Sequence, residues 1–281
     1  DGIPLNKELS LQYLKNAAYK GVPDAMQKYG VELEGRDRKL SVFFLKKASD
    51  KGQIESIFRY GVLLGTGDGV IPNRQLSNRF IRIAADNGCI DAMFLYAKKL
   101  CSGNGIDVNF EESFKYYKMA TDKGHLDAMF YYAYMNEHGE GTPVNLDEAV
   151  KYYKLSADKG NLNSLNKYAL LLKYGKGITM NKEEAIRYYK MGIEKGHAGS
   201  MNNYAFMLEN GDSVPVDKEE ACKLYKMSAD KGNPAGMNNY ARMLQKGIGV
   251  PINKEEAAKY YKIVADKGIG AAMNNYALML Q

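Results

Sequence analysis

The sequence predicts an all-α fold: an array of helix-turn-helix units repeating about every 36 residues, with about 16 helices. A glycine closing a "DKG"-like triplet recurs at Gly21, Gly52, Gly88, Gly124, Gly160, Gly196, Gly232 and Gly268, spaced by 31 and then by 36 six times. A tyrosine follows each by eight residues, at Tyr29, Tyr60, Tyr96, Tyr132, Tyr168, Tyr204, Tyr240 and Tyr276. Between these markers, apolar residues return at helical spacing. Such a fixed period is the signature of a repeat architecture, in which each unit buries its apolar face against the next.

Each unit carries two helical patterns. The first helix is typified by "SMNNYAFML", Ser200 to Leu208, whose Met201, Tyr204, Ala205 and Leu208 form one stripe. The second is typified by "NKEEAIRYYKMGIEKG", Asn181 to Gly196, with Ala185, Tyr188, Tyr189 and Ile193 on its buried side. Asn145, Asn181, Asp217 and Asn253 are placed to cap second helices, and Glu148, Glu184, Glu220 and Glu256 follow three residues later, as in a capping box. The terminal glycine suits a left-handed stop. A GxG loop joins the two helices at Gly139/Gly141, Gly175/Gly177 and Gly247/Gly249, with Ser213 standing at one glycine position. No strand precedes that loop and it recurs with the period, so it reads as a turn rather than a phosphate cradle. The first unit shortens this connection by five residues, over Glu32 to Ser41. The repeated tyrosines, and pairs such as Tyr152-Tyr153 and Tyr260-Tyr261, read as packing between helices.

The array divides into a second helix without its partner (1–21), seven helix pairs (22–268) and a first helix without its partner (269–281). We read this as a single solenoid, 1–281. Neither end shows the polar face of a capping repeat, which points to a stretch of a longer array with ends able to stack on a neighbour.

Composition narrows the function. Apolar residues make up 45% and charged residues 26%, ordinary for a folded globular chain. No apolar run is long enough for a membrane span. The three cysteines, Cys89, Cys101 and Cys222, form no metal or disulfide pattern and point to a reducing, cytoplasmic setting, although a chain beginning at Asp1 leaves room for a removed leader. The net charge of +6 is spread over interspersed Lys and Glu, so nucleic acid is not the expected partner. The three histidines do not converge, and no serine-elbow, Walker or HExxH motif occurs. We expect no enzyme activity, no cofactor and no metal site.

The pattern A-xxx-YA-xx-L, then GxGV, then N-K-E-E-A-xx-YYK-x-A-DKG resembles the Sel-1-like repeat family, relatives of the tetratricopeptide repeats. The resemblance covers the whole chain. It implies antiparallel helix pairs stacked in a right-handed superhelix, first helices lining the concave side, and an adaptor function. The cysteines of the disulfide-bearing members are missing here.

On a helical wheel, Asn202 and Asn203 lie opposite the buried stripe, and Asn238/Asn239 and Asn274/Asn275 repeat them. By the resemblance, that side is the concave wall, with Phe206 and Arg242 beside it. A carboxamide both donates and accepts, so spaced amides can grip a partner's backbone. Repeat duplication copying tolerated residues would give the same pattern. In the first half, Phe58, Phe94 and Phe130 stand where Asn202 stands, and Tyr131 where Asn203 stands. These aromatics fit either an apolar groove or close packing between first helices. The expected function is a non-enzymatic scaffold binding a protein or extended peptide on its concave face. The alternative is a structural spacer or a module self-assembling end to end.

Overall fold

The computed structural model describes residues 6–280, and all regular structure among them is helical: sixteen helices and no strand. They fall into two compact units, Asp1–Asn145 and Leu146–Gln281. The first unit holds α1 (Lys7–Tyr19), α2 (Pro23–Glu32), α3 (Arg38–Asp50), α4 (Ile54–Thr66), α5 (Arg74–Asp86), α6 (Ile90–Ser102), α7 (Phe110–Asp122) and α8 (Leu126–His138). The second holds α9 (Leu146–Asp158), α10 (Leu162–Tyr174), α11 (Lys182–Glu194), α12 (Ala198–Asn210), α13 (Lys218–Asp230), α14 (Pro234–Lys246), α15 (Lys254–Ala265) and α16 (Gly270–Met279). Even-numbered helices are the first helices of the sequence pattern, and odd-numbered ones the second. Within each unit every helix packs on its sequence neighbours, and in the second unit α12 also touches α10 and α14.

The predicted caps form at Asn181, Asp217 and Asn253, with one departure. Asn181, Asp217 and Asn253 accept from the backbone N–H of Glu184, Glu220 and Glu256 at 3.0, 2.9 and 3.0 Å. In a capping box the glutamate takes the cap residue's own backbone N–H. Here that N–H already donates across the unit, from Asn181 to the Leu172 carbonyl and from Asn253 to the Leu244 carbonyl, each at 2.9 Å. The glutamates turn instead to the cap side chain: Asn181 Nδ2 donates to Glu184 Oε2 at 3.3 Å, and Asn253 Nδ2 to Glu256 at 2.9 Å. The cap therefore ties the second helix to the last turn of the first. His125 and His197 cap first helices, each Nδ1 accepting a backbone N–H at 3.1 Å. They are structural rather than convergent.

The connecting loop explains its glycines. Gly249 has φ +67, and a Cβ there would overlap the Lys218 carbonyl oxygen at the start of the preceding second helix. Ser213, at the equivalent position, adopts φ 62, a conformation that L-residues with a Cβ seldom occupy.

The core follows the periodic tyrosines and small residues. Six of the eight first-helix tyrosines are buried, while Tyr204 and Tyr276 are half-buried. Tyr189, Tyr225 and Tyr261 of the second helices are fully enclosed. Buried alanines such as Ala205 and Ala241 let helices approach. A polar stitch joins consecutive second helices: Tyr188 Oη donates to Asp158 at 2.7 Å.

Candidate protein-docking face

In the second unit five of the six paired asparagines lie half-buried on the first helices, and the pairs engage one another. Asn203 Nδ2 donates to Asn166 Oδ1 at 2.8 Å, Asn239 Nδ2 to Asn202 Oδ1 at 2.9 Å, and Asn275 Nδ2 to Asn238 Oδ1 at 3.1 Å. Asn202 also donates to Asn203 at 3.2 Å. The second amide of each pair thus reaches the first amide of the preceding repeat, linking α10, α12, α14 and α16. Asn274 is exposed. A single-helix wheel places these residues away from their own partner helix, and there the next first helix meets them.

Arg242 on α14 is likewise committed. Its Nη1 and Nη2 donate to Glu209 Oε1 and Oε2 at 2.8 and 2.6 Å, a bidentate pair, and Tyr225 Oη donates to the same carboxylate at 3.0 Å. Only 12% of the Glu209 side chain is exposed. Burial alone would raise its pKa, but the hydrogen bonds and charge of Arg242 prevail and hold it below the usual carboxylate range. Phe206 remains 46% exposed, with Lys173 Nζ 5.0 Å from its ring centre. That lysine is buried and paired with Asp212 at 3.3 Å. Phe206 thus contacts one member of a partly exposed ion pair while much of its own surface stays open to solvent.

In the first unit Phe58, Phe94, Phe130 and Tyr131 are all half-buried. Phe94 stacks on His125 with ring centres 4.5 Å apart, and its centre lies 5.9 Å from that of Tyr131. Tyr131 in turn stacks on Tyr117 at 5.3 Å and meets Phe130 edge-on at 5.2 Å. This much of the stripe packs repeat on repeat. Phe58 instead lines a cleft of about 530 Å³ together with Arg59, Leu95 and several carboxylates. Phe94 and Tyr131 are thus packed between repeats, whereas Phe58 borders a cleft lined largely by charged groups.

Among the described residues, no group of three or more His, Cys, Asp or Glu is arranged to hold a metal ion. No described helix is long and apolar enough to cross a membrane.

The sequence matches the family model described as "Sel1 repeat" over residues 1–22, 23–53, 54–89, 90–125, 126–161, 162–197, 198–233 and 234–269. The chain belongs to the Sel1 repeat family. Sel1 repeats are generally non-catalytic protein–protein interaction modules. A Sel1 repeat protein from Oxalobacter formigenes superposes with a TM-score of 0.78 at 22% identity, covering 98% of this chain and 80% of that one. The Escherichia coli protein c5321, a protective antigen of uropathogenic strains with an SLR fold, superposes at 0.73 and 22% identity, over 96% of this chain and 67% of that one. At such identity the likeness concerns the Sel1 fold. No curated protein matches the chain.

Two members of the Sel1 face were missed from sequence. Asn166 stands 36 residues before Asn202 and heads the amide row. Its signal was the period itself. Glu209 was missed because nothing in a single helix marks it as the partner of an arginine on the next first helix.

Proposed function

We propose that this Sel1 repeat chain is a non-catalytic scaffold that docks extended segments of a partner protein on the first helices of each unit. The observation that carries this reading is the composition of that first-helix face. Exposed second-helix positions carry Lys and Glu, such as Lys223 and Glu220, an i,i+3 pair at 3.5 Å, with single apolar residues such as Phe43, Met227 and Ile263 scattered among them and no amide row. The first helices instead present half-buried carboxamides, the exposed ring of Phe206 and the cleft at Phe58. Aromatic and amide groups on a pre-formed surface suit the apolar anchors and backbone groups of a peptide.

The test is site-specific photo-cross-linking from two positions, Phe206 on the first-helix face and Lys223 on an outer helix. A partner captured from Phe206 and not from Lys223 supports the reading. Capture from Lys223 alone refutes it.

A further inference from the structure

The cleft at Phe58 has a chemistry of its own. It is framed by the consecutive first helices α4 and α6, with the start of α3 and the connection from α2 to α3 completing it. The shortened connection brings Glu34 to its edge. Phe58 and Leu95 supply apolar lining, and its volume of about 530 Å³ falls within the range of sites that enclose several ligand groups.

The charge of the lining runs against that of the chain. Four carboxylates (Glu34, Glu55, Asp68, Asp91) face two guanidiniums (Arg38, Arg59), a formal balance of 2 − 4 = −2, in a protein of net charge +6. The two arginines are already engaged. Arg59 Nε donates to Glu55 at 2.7 Å and its Nη1 to Glu34 at 3.0 Å, while Arg38 pairs with Asp68. Asp91, with 71% of its side chain exposed, has only His125 Nε2 at 3.7 Å, beyond hydrogen-bond distance. An incoming anion would meet four carboxylates and reach only leftover N–H groups on paired arginines. An incoming cation would meet an unneutralised carboxylate at the mouth and an aromatic ring inside.

We propose that this cleft is a docking subsite for an extended protein segment presenting a lysine or arginine next to an apolar side chain. The methylene stem of the basic residue lies along Phe58 and Leu95 while its head reaches Asp91. The apolar neighbour fills the lined space. The Phe58 ring adds attraction for a cation held over its face. This inference rests on the docking-face reading and specifies the partner chemistry for the first unit. Because the contacts at the mouth are exposed, binding weakens with salt.

The experiment uses the whole chain and two fluorescently labelled peptides of alternating sequence, one of Lys and Leu and one of Glu and Leu, followed by anisotropy. The lysine peptide is expected to bind about tenfold tighter at low salt. Raising NaCl from about 50 to about 300 mM should weaken it about threefold or more. Asp91→Asn should weaken the lysine peptide about threefold, and Phe58→Ala by a similar factor, with melting temperature confirming that each variant folds. Asp91→Asn alters an exposed carboxylate and keeps the test valid if Phe58→Ala fails to fold. Equal or tighter binding of the glutamate peptide overturns the charge assignment and leaves the docking face standing. Lysine-peptide binding untouched by Asp91→Asn, or no binding of either peptide, overturns the cleft as the subsite. The docking face is decided separately, by cross-linking from Phe206 in the other unit.

Discussion

Removing Arg242 should destabilise the second unit in a pH-dependent way. Arg242 of α14 holds the Glu209 carboxylate of α12 through two hydrogen bonds at 2.6 and 2.8 Å, and Tyr225 of α13 supports it at 3.0 Å. One contact therefore spans three successive helices. Side-chain exposure is 28% for Arg242 and 12% for Glu209, so the pair is neither fully buried nor on the surface. Breaking a buried pair costs about 3–5 kcal/mol, because one charge is left unpaired. An exposed pair contributes about 0–1 kcal/mol. Arg242→Met keeps most of the stem packing and removes the charge, and an intermediate loss of about 2 kcal/mol is expected at neutral pH.

The sign with pH follows from Glu209. Its folded pKa is lowered, because Arg242 outweighs burial, so its contribution is present above the unfolded value of about 4.3 and is lost as pH falls through the folded value. In Arg242→Met only the Tyr225 bond and the charge of Lys218 still oppose burial, so the folded pKa of Glu209 rises relative to that of the wild-type protein. The variant therefore has less carboxylate stabilisation to lose as pH falls. The stability difference between the two proteins should be widest near neutrality and shrink as pH falls below about 4. Urea denaturation at several pH values, monitored by circular dichroism, reads it directly, and other carboxylates cancel in the difference. A gap that is constant with pH, or below about 0.5 kcal/mol at neutral pH, would refute the assignment.

The amide row predicts a small single-site effect and a measurable coupling. Asn239→Ala gives up a bond of about 0.5–1.5 kcal/mol and regains about 0.6 kcal/mol of helix propensity, so stability changes little, whereas a double-mutant cycle with Asn202→Ala should show coupling of about 1 kcal/mol. In the loop, Ser213→Gly should stabilise by about 0.5–1 kcal/mol, because relief of about 1–2 kcal/mol of left-handed strain exceeds the added unfolded-state entropy. The reverse change, Gly249→Ala, should lower the melting temperature by several degrees, since strain is joined by overlap with the Lys218 carbonyl. Tyr188→Phe should destabilise by about 1 kcal/mol through loss of the bond to Asp158, and an unchanged melting temperature would count against that stitch.

The helix pairs were legible because a periodic pattern exposes its own boundaries. Caps at Asn181 and Asn253 and stops at Gly196 and Gly232 fall where the sequence places them. The face was less legible, since a helical wheel knows one helix and its partner, while the side chains at issue meet the next repeat. Those contacts have fixed offsets once the structure is seen: 37 residues between paired amides, 33 between Glu209 and Arg242, and 30 between Asp158 and Tyr188. The offsets depart from the 36-residue period by small steps along a neighbouring helix. Charge or amide complementarity at those separations would have found Asn166 and Glu209. The sequence marked Phe58 as a candidate groove residue but not the charged groups around it, because they converge from α3, α4, α6 and the residues after α2 and α4.

The amide row bears on binding as well as on packing, and valence decides how. A carboxamide has two N–H donors and a carbonyl oxygen with two lone pairs. Asn202 spends one donor on Asn203 and one lone pair on Asn239, and Asn239 spends one donor on Asn202. Half of the capacity of Asn202 is thus left on a half-buried side chain, with its orientation already set by the neighbouring repeat. A partner backbone meeting such amides does not have to immobilise them, which lowers the entropic cost of docking. Lateral bonding and partner binding are therefore compatible uses of the same residues. They meet at Asn239, whose replacement should change partner affinity and the coupling to Asn202 together.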